Sequence, residues 1–187
     1  MGHEILFWRR IDVPALERLS LDVAPDAVEA CSCVVGSDDG GYRLDYRWLL
    51  SGDWRTRRLE VERWGAAGRA HVVLERIGDC WSVDGAHRPD LDGAEEPDLS
   101  VTPFCNTLPI RRTPRAPGAS LTLDVCYLDG ATMRVERSRQ RYDRLGPDRL
   151  RYVDLGRASG FEAELRVDGE GLVVTYEHLF ERVAPTP

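Results

Sequence analysis

Asp84, His87, Asp90 and Asp92 form the tightest grouping of acid, base and metal-ligating side chains in this sequence. A histidine among carboxylates can relay a proton or hold a divalent ion. The grouping therefore admits a hydrolase acting on a lipid or a glycoside, with Asp84 and His87 as its working pair. The surrounding residues favour a plainer role. They read Asp-Gly-Ala-His-Arg-Pro-Asp-Leu-Asp-Gly, where Asp, Pro and Gly serve turns and the charges face water. The chain has no Gly-x-Ser-x-Gly, no phosphate-binding glycine loop, no His-Glu-x-x-His and no Cys-x-x-Cys, the spacings that mark common enzyme chemistries. Non-catalytic binding is the leading reading, with no catalytic residue, metal or cofactor assigned, and the hydrolase is the alternative.

Arginine offers a second chemistry. All 25 basic residues are Arg, the side chain whose planar fork suits carboxylates, phosphates and dense sugar hydroxyls. If the strand from Trp54 is regular, Arg55 and Arg57 share a face with Leu59 and Val61. By the same alternation Arg137, Arg139 and Arg141 share a face with Met133 and Val135. An inward arginine needs an anion or water, because an unpaired buried charge is costly. One β-bulge would instead turn these side chains to solvent. Trp54 and Trp81 stand close to Asp53 and Asp84, and an indole face near a carboxylate suits a sugar ring. Trp48 lies in an apolar stripe and reads as core, and His178 reads as a hydrogen-bonded core histidine.

The elements that position these residues are strands. Apolar and polar residues alternate in Tyr42, Leu44, Tyr46 and Trp48, in Leu121, Leu123, Val125 and Tyr127, in Phe161, Ala163, Leu165 and Val167, and from Leu172 to Phe180. Asp38–Gly41, Asp129–Gly130 and Asp168–Gly171 carry the chemistry of tight turns. The pattern predicts an all-β fold, a single large curved antiparallel sheet or open barrel of roughly a dozen strands in meander order. Residues 85–119 break the alternation and hold six of the eleven prolines. Their Leu91, Leu99, Val101, Phe104, Leu108 and Ile110 make them a long packed connection rather than a tether. With 187 residues and 42% hydrophobic content, one domain over residues 1–187 is expected. The net charge of -7 argues against nucleic acid as partner. No apolar run is long enough to span a bilayer. The apolar run Ile5–Trp8 precedes Arg9 and Arg10, the wrong order for an export signal. Five cysteines make an odd, sparse set that fits reduced thiols in the cytoplasm.

TPFCNTLPIRR at 102–112, CWSVDG at 80–85, DLDG at 90–93 and RQRYDRL at 139–145 resemble signature stretches of the putative glycolipid-binding family of bacterial proteins. WRR at 8–10, DWRTRRLEV at 53–61 and the closing DGEGLVVTYEHLFER also match, so the likeness spans nearly the whole chain. Ala94 and Cys105 depart from the family's pattern without changing charge. The resemblance implies a curved antiparallel sheet like that of bacterial lipoprotein carriers, with an apolar cavity. It also implies an amphiphilic small-molecule ligand, a glycolipid or other lipid with a polar or anionic head. Together with the arginine and tryptophan readings it puts Trp54, Arg55, Arg57, Trp81, Asp84, Asn106, Arg111, Arg139, Gln140, Arg141 and Tyr142 at the ligand site. Oligomeric state is not legible in the sequence.

Overall fold

The computed structural model describes residues 2–184. Its first half is a run of hairpins: β1 (Gly2–Arg10), β2 (Ala15–Val23), β3 (Ala27–Gly36), β4 (Tyr42–Ser51), β5 (Thr56–Gly65), β6 (Gly68–Ile77), β7 (Cys80–Val83) and β8 (Ala86–His87). The chain then crosses through a 3-10 turn at Pro89–Leu91 to β9 (Glu96–Leu99) and α1 (Phe104–Arg112), the single α-helix among the described residues. It returns through β10 (Ser120–Leu128), β11 (Val135–Arg144), β12 (Arg149–Asp154), β13 (Glu162–Val167), β14 (Val173–Tyr176) and β15 (Phe180–Arg182). All fifteen strands belong to one curved, unclosed sheet in the order β8-β7-β6-β5-β4-β3-β2-β1-β15-β14-β13-β12-β11-β10-β9. The expected meander is therefore two meanders joined where β1 pairs with β15, and β9 adds to β10 in parallel.

Alternation explains the burial of each strand. In β4, Tyr42, Leu44, Tyr46, Trp48 and Leu50 face inward while Arg43 and Arg47 face water. Turns fall where Asp and Gly predicted them: Asp38–Gly40 forms a 3-10 turn before β4, Asp129 opens the link to β11, and Asp168–Gly171 links β13 to β14. The run from Leu172 to Phe180 is not one strand. It folds back at Glu177–Leu179, leaving His178 exposed at a left-handed φ of 68°, so His178 is a turn residue and not a core histidine. The thiols divide likewise: Cys105 and Cys126 are buried, whereas Cys31 and Cys80 are exposed.

The concave side is filled rather than hollow. Every residue of α1 from Phe104 to Ile110 is buried, so the helix is enclosed on all sides. Just before the helix the Thr102 hydroxyl accepts from the Phe104 N–H at 3.1 Å, satisfying one of the free donors of the first turn. Its last carbonyls take the Arg144 guanidinium: Nη2 donates to Ile110 O and Thr113 O, both at 3.1 Å. Phe104 packs edge-on against Trp48 with ring centroids 5.7 Å apart. Phe104 and Leu108 join the core of the β1–β8 half, and Ile110 joins that of the β10–β15 half. The helix thereby ties the two halves together, and the apolar cavity expected from the family resemblance is occupied by the chain itself.

Candidate functional site

Two clefts open beside the C-terminal end of α1. The first, about 440 Å³, has an apolar floor of Leu21, Val23, Trp54 and Leu172, with His3, Glu4, Arg111 and Glu170 around it. The second, about 490 Å³, is lined by Arg111, Arg115 and Arg144 and by three acids, Asp148, Asp168 and Glu170, with Ile110 and Val167 beside them. Arg111 and Glu170 belong to both, so they form the wall between an apolar cleft and an arginine-rich polar one.

Local sequence places each of these groups. The Trp54 N–H donates to Ser51 O at 2.9 Å, closing the turn between β4 and β5. This turn needs Gly52, since a Cβ there would lie 2.1 Å from Pro25 O. Trp54 itself takes a left-handed φ of 63°, which swings its indole onto Phe104, centroids 6.4 Å apart. The Arg111 guanidinium then lies over the indole, 4.1 Å from the ring centroid. On the opposite wall the Asp168 carboxylate accepts from the Glu170 and Leu172 N–H groups at 3.0 and 2.9 Å. That turn presents Glu170 O to Arg111 Nη1 at 2.5 Å. Burial lowers the pKa of both Arg111 and Arg144, and the charge of Arg115 lowers both further.

A third groove of about 500 Å³ lies on the outer face of β2–β5. It is bordered by outward side chains such as Arg18, Asp45, Arg47 and Glu62. Several of its charges are already paired: Arg47 with Glu29 at 2.5 Å, Asp45 with Arg43 at 2.6 Å. It has no apolar floor, and a groove of solvated ion pairs is an ordinary sheet exterior.

Of the residues singled out in the sequence, Trp54 and Arg111 line the clefts. Asn106, Gln140 and Tyr142 come together, but inside the protein. Asn106 Nδ2 donates to Tyr142 OH at 2.8 Å, Tyr142 OH to Gln140 Oε1 at 3.2 Å, and Gln140 Nε2 to Asp98 Oδ2 at 2.5 Å. The three are at most 3% exposed, so their bonding capacity is spent within the fold. Burial raises the Asp98 pKa and pushes the neighbouring Cys105 thiol well up, which makes it an inert thiol. Trp81 is also enclosed, its indole N–H donating to Ala94 O at 2.9 Å.

The arginine facing differs from expectation in both strands. β5 pairs Leu49 with Arg58 but Leu50 with Thr56, so Arg57 is the extra residue of a bulge and points to solvent while Thr56 turns inward. Arg55 precedes the strand and pairs with Glu95 at 3.6 Å. In β11 the inward face is Ser138, Gln140, Tyr142 and Arg144. Met133 sits at a left-handed φ of 56° before the strand, so it does not set the face. Arg137 and Arg139 lie outside, paired with Asp124 at 2.6 and 2.7 Å, and Arg141 pairs with Asp143 at 3.0 Å. Because Arg137 stays on Asp124, Arg139→Ala is expected to leave the melting temperature unchanged and ligand binding intact. A drop of many degrees in a thermal scan would contradict the outward placement.

The Asp84 and His87 loop is set apart from both clefts. Asp84, at a left-handed φ of 51°, accepts from the Val73 N–H at 2.8 Å. His87 Nε2 lies 2.9 Å from Asp92 Oδ2. Cys80, His87 and Asp92 bring potential ligand atoms within 4.8 Å of one another. Asp84 is not among them, and Asp90 pairs with Arg88 at 2.7 Å.

Sequence reasoning missed Arg115, Arg144 and Glu17. Glu17 is 2% exposed; its Oε1 accepts from Ser32 and Tyr46 hydroxyls at 2.7 Å and from Thr102 at 2.9 Å. Burial pushes its pKa up to about 7 despite those three bonds. Its signal was present: Glu17 shares a face with Leu19 and Leu21, the same criterion that singled out the arginines.

Among the described residues, no helix is long and apolar enough to cross a membrane. Comparison with curated proteins finds no match. Among solved structures, the chain is similar to the crystal structure of a DUF1089 family protein from Pseudomonas aeruginosa. The identity is 31%, the alignment covers 90% of this chain and 92% of that one, and the TM-score is 0.78. The profile of the family described as "Putative glycolipid-binding" matches residues 5–182. With a match over nearly its full length and a relative of the same fold, the chain belongs to that family.

Proposed function

We propose that the chain, acting as a single domain, binds an amphiphilic small molecule without catalysis: a glycolipid or another lipid with a polar or anionic head. The observation that carries this reading is the pair of contiguous clefts sharing Arg111 and Glu170, one floored by Leu21, Val23, Trp54 and Leu172 and the other polar, with three arginines in its lining. A molecule with an apolar and a polar end meets a matching surface at each end. The family's description supports the same class of ligand. Trp54 and Arg111 are the residues from the sequence reading that keep a ligand role here. Arg55, Arg57, Arg139 and Arg141 serve surface ion pairs or solvent, and Trp81, Asn106, Gln140 and Tyr142 serve the interior. Exposed thiols at Cys31 and Cys80 fit a reducing compartment such as the cytoplasm. The hydrolase alternative has less support, because Asp84 and His87 each bond within their own hairpin region and line neither cleft.

Nile red should bind saturably to the wild-type protein and be displaced by octyl glucoside. Val23→Glu sets a charge on the floor of the apolar cleft at a partly exposed strand end. It should weaken dye binding by about tenfold or more, since desolvating a carboxylate there is unfavourable. Ser20→Glu on the outer face should leave binding unchanged. Equal binding in both variants, with normal melting temperatures, would remove the apolar cleft as the site.

A further inference from the structure

Arg111, Arg115 and Arg144 line one cleft, and neither Arg115 nor Arg144 has a carboxylate within salt-bridge distance among the described residues. Arg144 is 5% exposed, yet no carboxylate lies within salt-bridge distance of it among the described residues. Its Nη2 caps α1, its Nε is buried with no acceptor, and its Nη1 makes no hydrogen bond among the described residues. Arg115 has neither an ion pair nor a hydrogen-bonded side-chain partner among them. Arg111 has its nearest carboxylate, that of Glu170, at 3.9 Å. The other two acids in the lining have arginine partners of their own: Asp168 pairs with Arg182 at 2.7 Å and Asp148 with Arg166 at 3.9 Å. Arg137 and Arg139, by contrast, sit directly on Asp124, and Arg63, which is also buried without a carboxylate partner among the described residues, stacks over the Tyr42 ring with its centroid 4.9 Å away. A helix cap accounts for Arg144 Nη2 alone. It does not account for a third guanidinium placed where it repels the other two.

We infer that this cleft is an anion site, and that the polar end of the ligand is a phosphate. The inference rests on the amphiphile reading and narrows it. A tetrahedral dianion can accept from several guanidiniums that approach from different walls, whereas a neutral sugar leaves their repulsion unrelieved. Arg144 Nη1 and the Arg115 guanidinium, with Arg111 between the clefts, would surround such a group while its acyl portion lies on Leu21, Val23 and Leu172.

The test compares three probes by isothermal titration on the whole chain: inorganic phosphate, short-chain phosphatidic acid below its micellar concentration, and octyl glucoside. Phosphatidic acid should bind at least tenfold tighter than octyl glucoside, and the advantage should shrink as salt rises. Arg115→Gln, at an exposed residue with no partner to lose, should weaken phosphatidic acid by roughly ten- to a hundredfold, a charged hydrogen bond's worth. It should leave octyl glucoside unchanged. Arg144→Lys tests the buried charge, with the melting temperature reporting the lost cap separately. Equal affinity for the anionic and neutral amphiphiles, or an unaltered affinity in Arg115→Gln, would overturn the phosphate assignment while leaving the apolar cleft intact. Phosphate binding with no gain from the acyl chains would uphold the anion site and overturn the amphiphile reading on which the lipid part depends.

Discussion

Arg112→Ala should cost this protein about 3–5 kcal/mol of stability, the usual consequence of stripping the partner from a buried carboxylate. The carboxylate is Glu96, 1% exposed. Its Oε1 accepts from Arg112 Nη1 at 2.5 Å, and its Oε2 accepts from the Thr56 N–H at 3.1 Å and the Thr56 hydroxyl at 2.5 Å. The pair joins the last turn of α1 to β9 and, through Thr56, to the start of β5. It is an expensive tie, since Arg112 Nε and Nη2 are buried without a hydrogen bond, with Glu95 3.5 Å from Nη2. Removing charge from both partners should therefore do less harm than removing one. The double variant Glu96→Gln with Arg112→Met should recover a large part of the loss. Urea denaturation of the three proteins measures this. A loss in Arg112→Ala below about 1 kcal/mol, the range of exposed ion pairs, would show that solvent reaches the pair.

Stability should fall as pH rises through the neutral range, and Glu17 should be a principal cause. Its pKa is raised by burial from an ordinary 4.5 to about 7. The folded state thus holds the proton more tightly than the unfolded chain does. The associated stability is complete below about pH 4.5 and is lost as pH climbs through about 7. A shift of that size corresponds to about 3 kcal/mol between the two limits. Glu17→Gln preserves an acceptor for Ser32, Tyr46 and Thr102 and cannot ionise. It should match the wild type near pH 5 and exceed it near pH 8. Asp98, whose pKa burial also raises, contributes with the same sign in both proteins and drops out of the difference. Parallel stability profiles for the two proteins would mean that Glu17 is ionised without penalty, its three hydroxyl donors having outweighed burial.

How far the sequence carried these conclusions depends on what each residue faces. β4 and β13 were legible because one face meets the core and the other meets water, which is the condition that produces alternation; β10 meets it only as far as Val125, since Cys126 and Leu128 on its other face are buried as well. α1 fails that condition. Its residues from Phe104 to Ile110 are buried on every side and Pro109 lies within it, so neither period appears and only the density of apolar residues betrayed a packed segment. The arginines of β5 and β11 were misplaced by local events: the extra residue Arg57, and an inward face made polar by Ser138, Gln140 and Arg144. Arg144 escaped notice because its helix cap is nonlocal; Ile110 and Thr113, whose carbonyls it holds, lie more than thirty residues away. The family signature fared better for structure than for contact. TPFCNTLPIRR turned out to hold the helix and its anchors, Asn106 and Arg112, with Arg111 alone of its polar side chains reaching the clefts.

The seam between β1 and β15 also governs the order in which the protein can assemble. It holds three residue pairs, Trp8 with Arg182, Arg9 with Glu181 and Arg10 with Phe180, and the Trp8 indole N–H donates across it to Val173 O at 2.8 Å. These are among the contacts most distant along the chain, and they lie in the middle of the sheet. A ribosome delivers β1 first and β15 last, so the β1–β8 hairpins wait with one strand edge open and without α1 to cover their inner face. Such long-range closure makes refolding slow for a protein of this size. It also makes a nascent or truncated β1–β8 fragment a candidate for edge-to-edge aggregation, and a holding chaperone would be needed most during that interval.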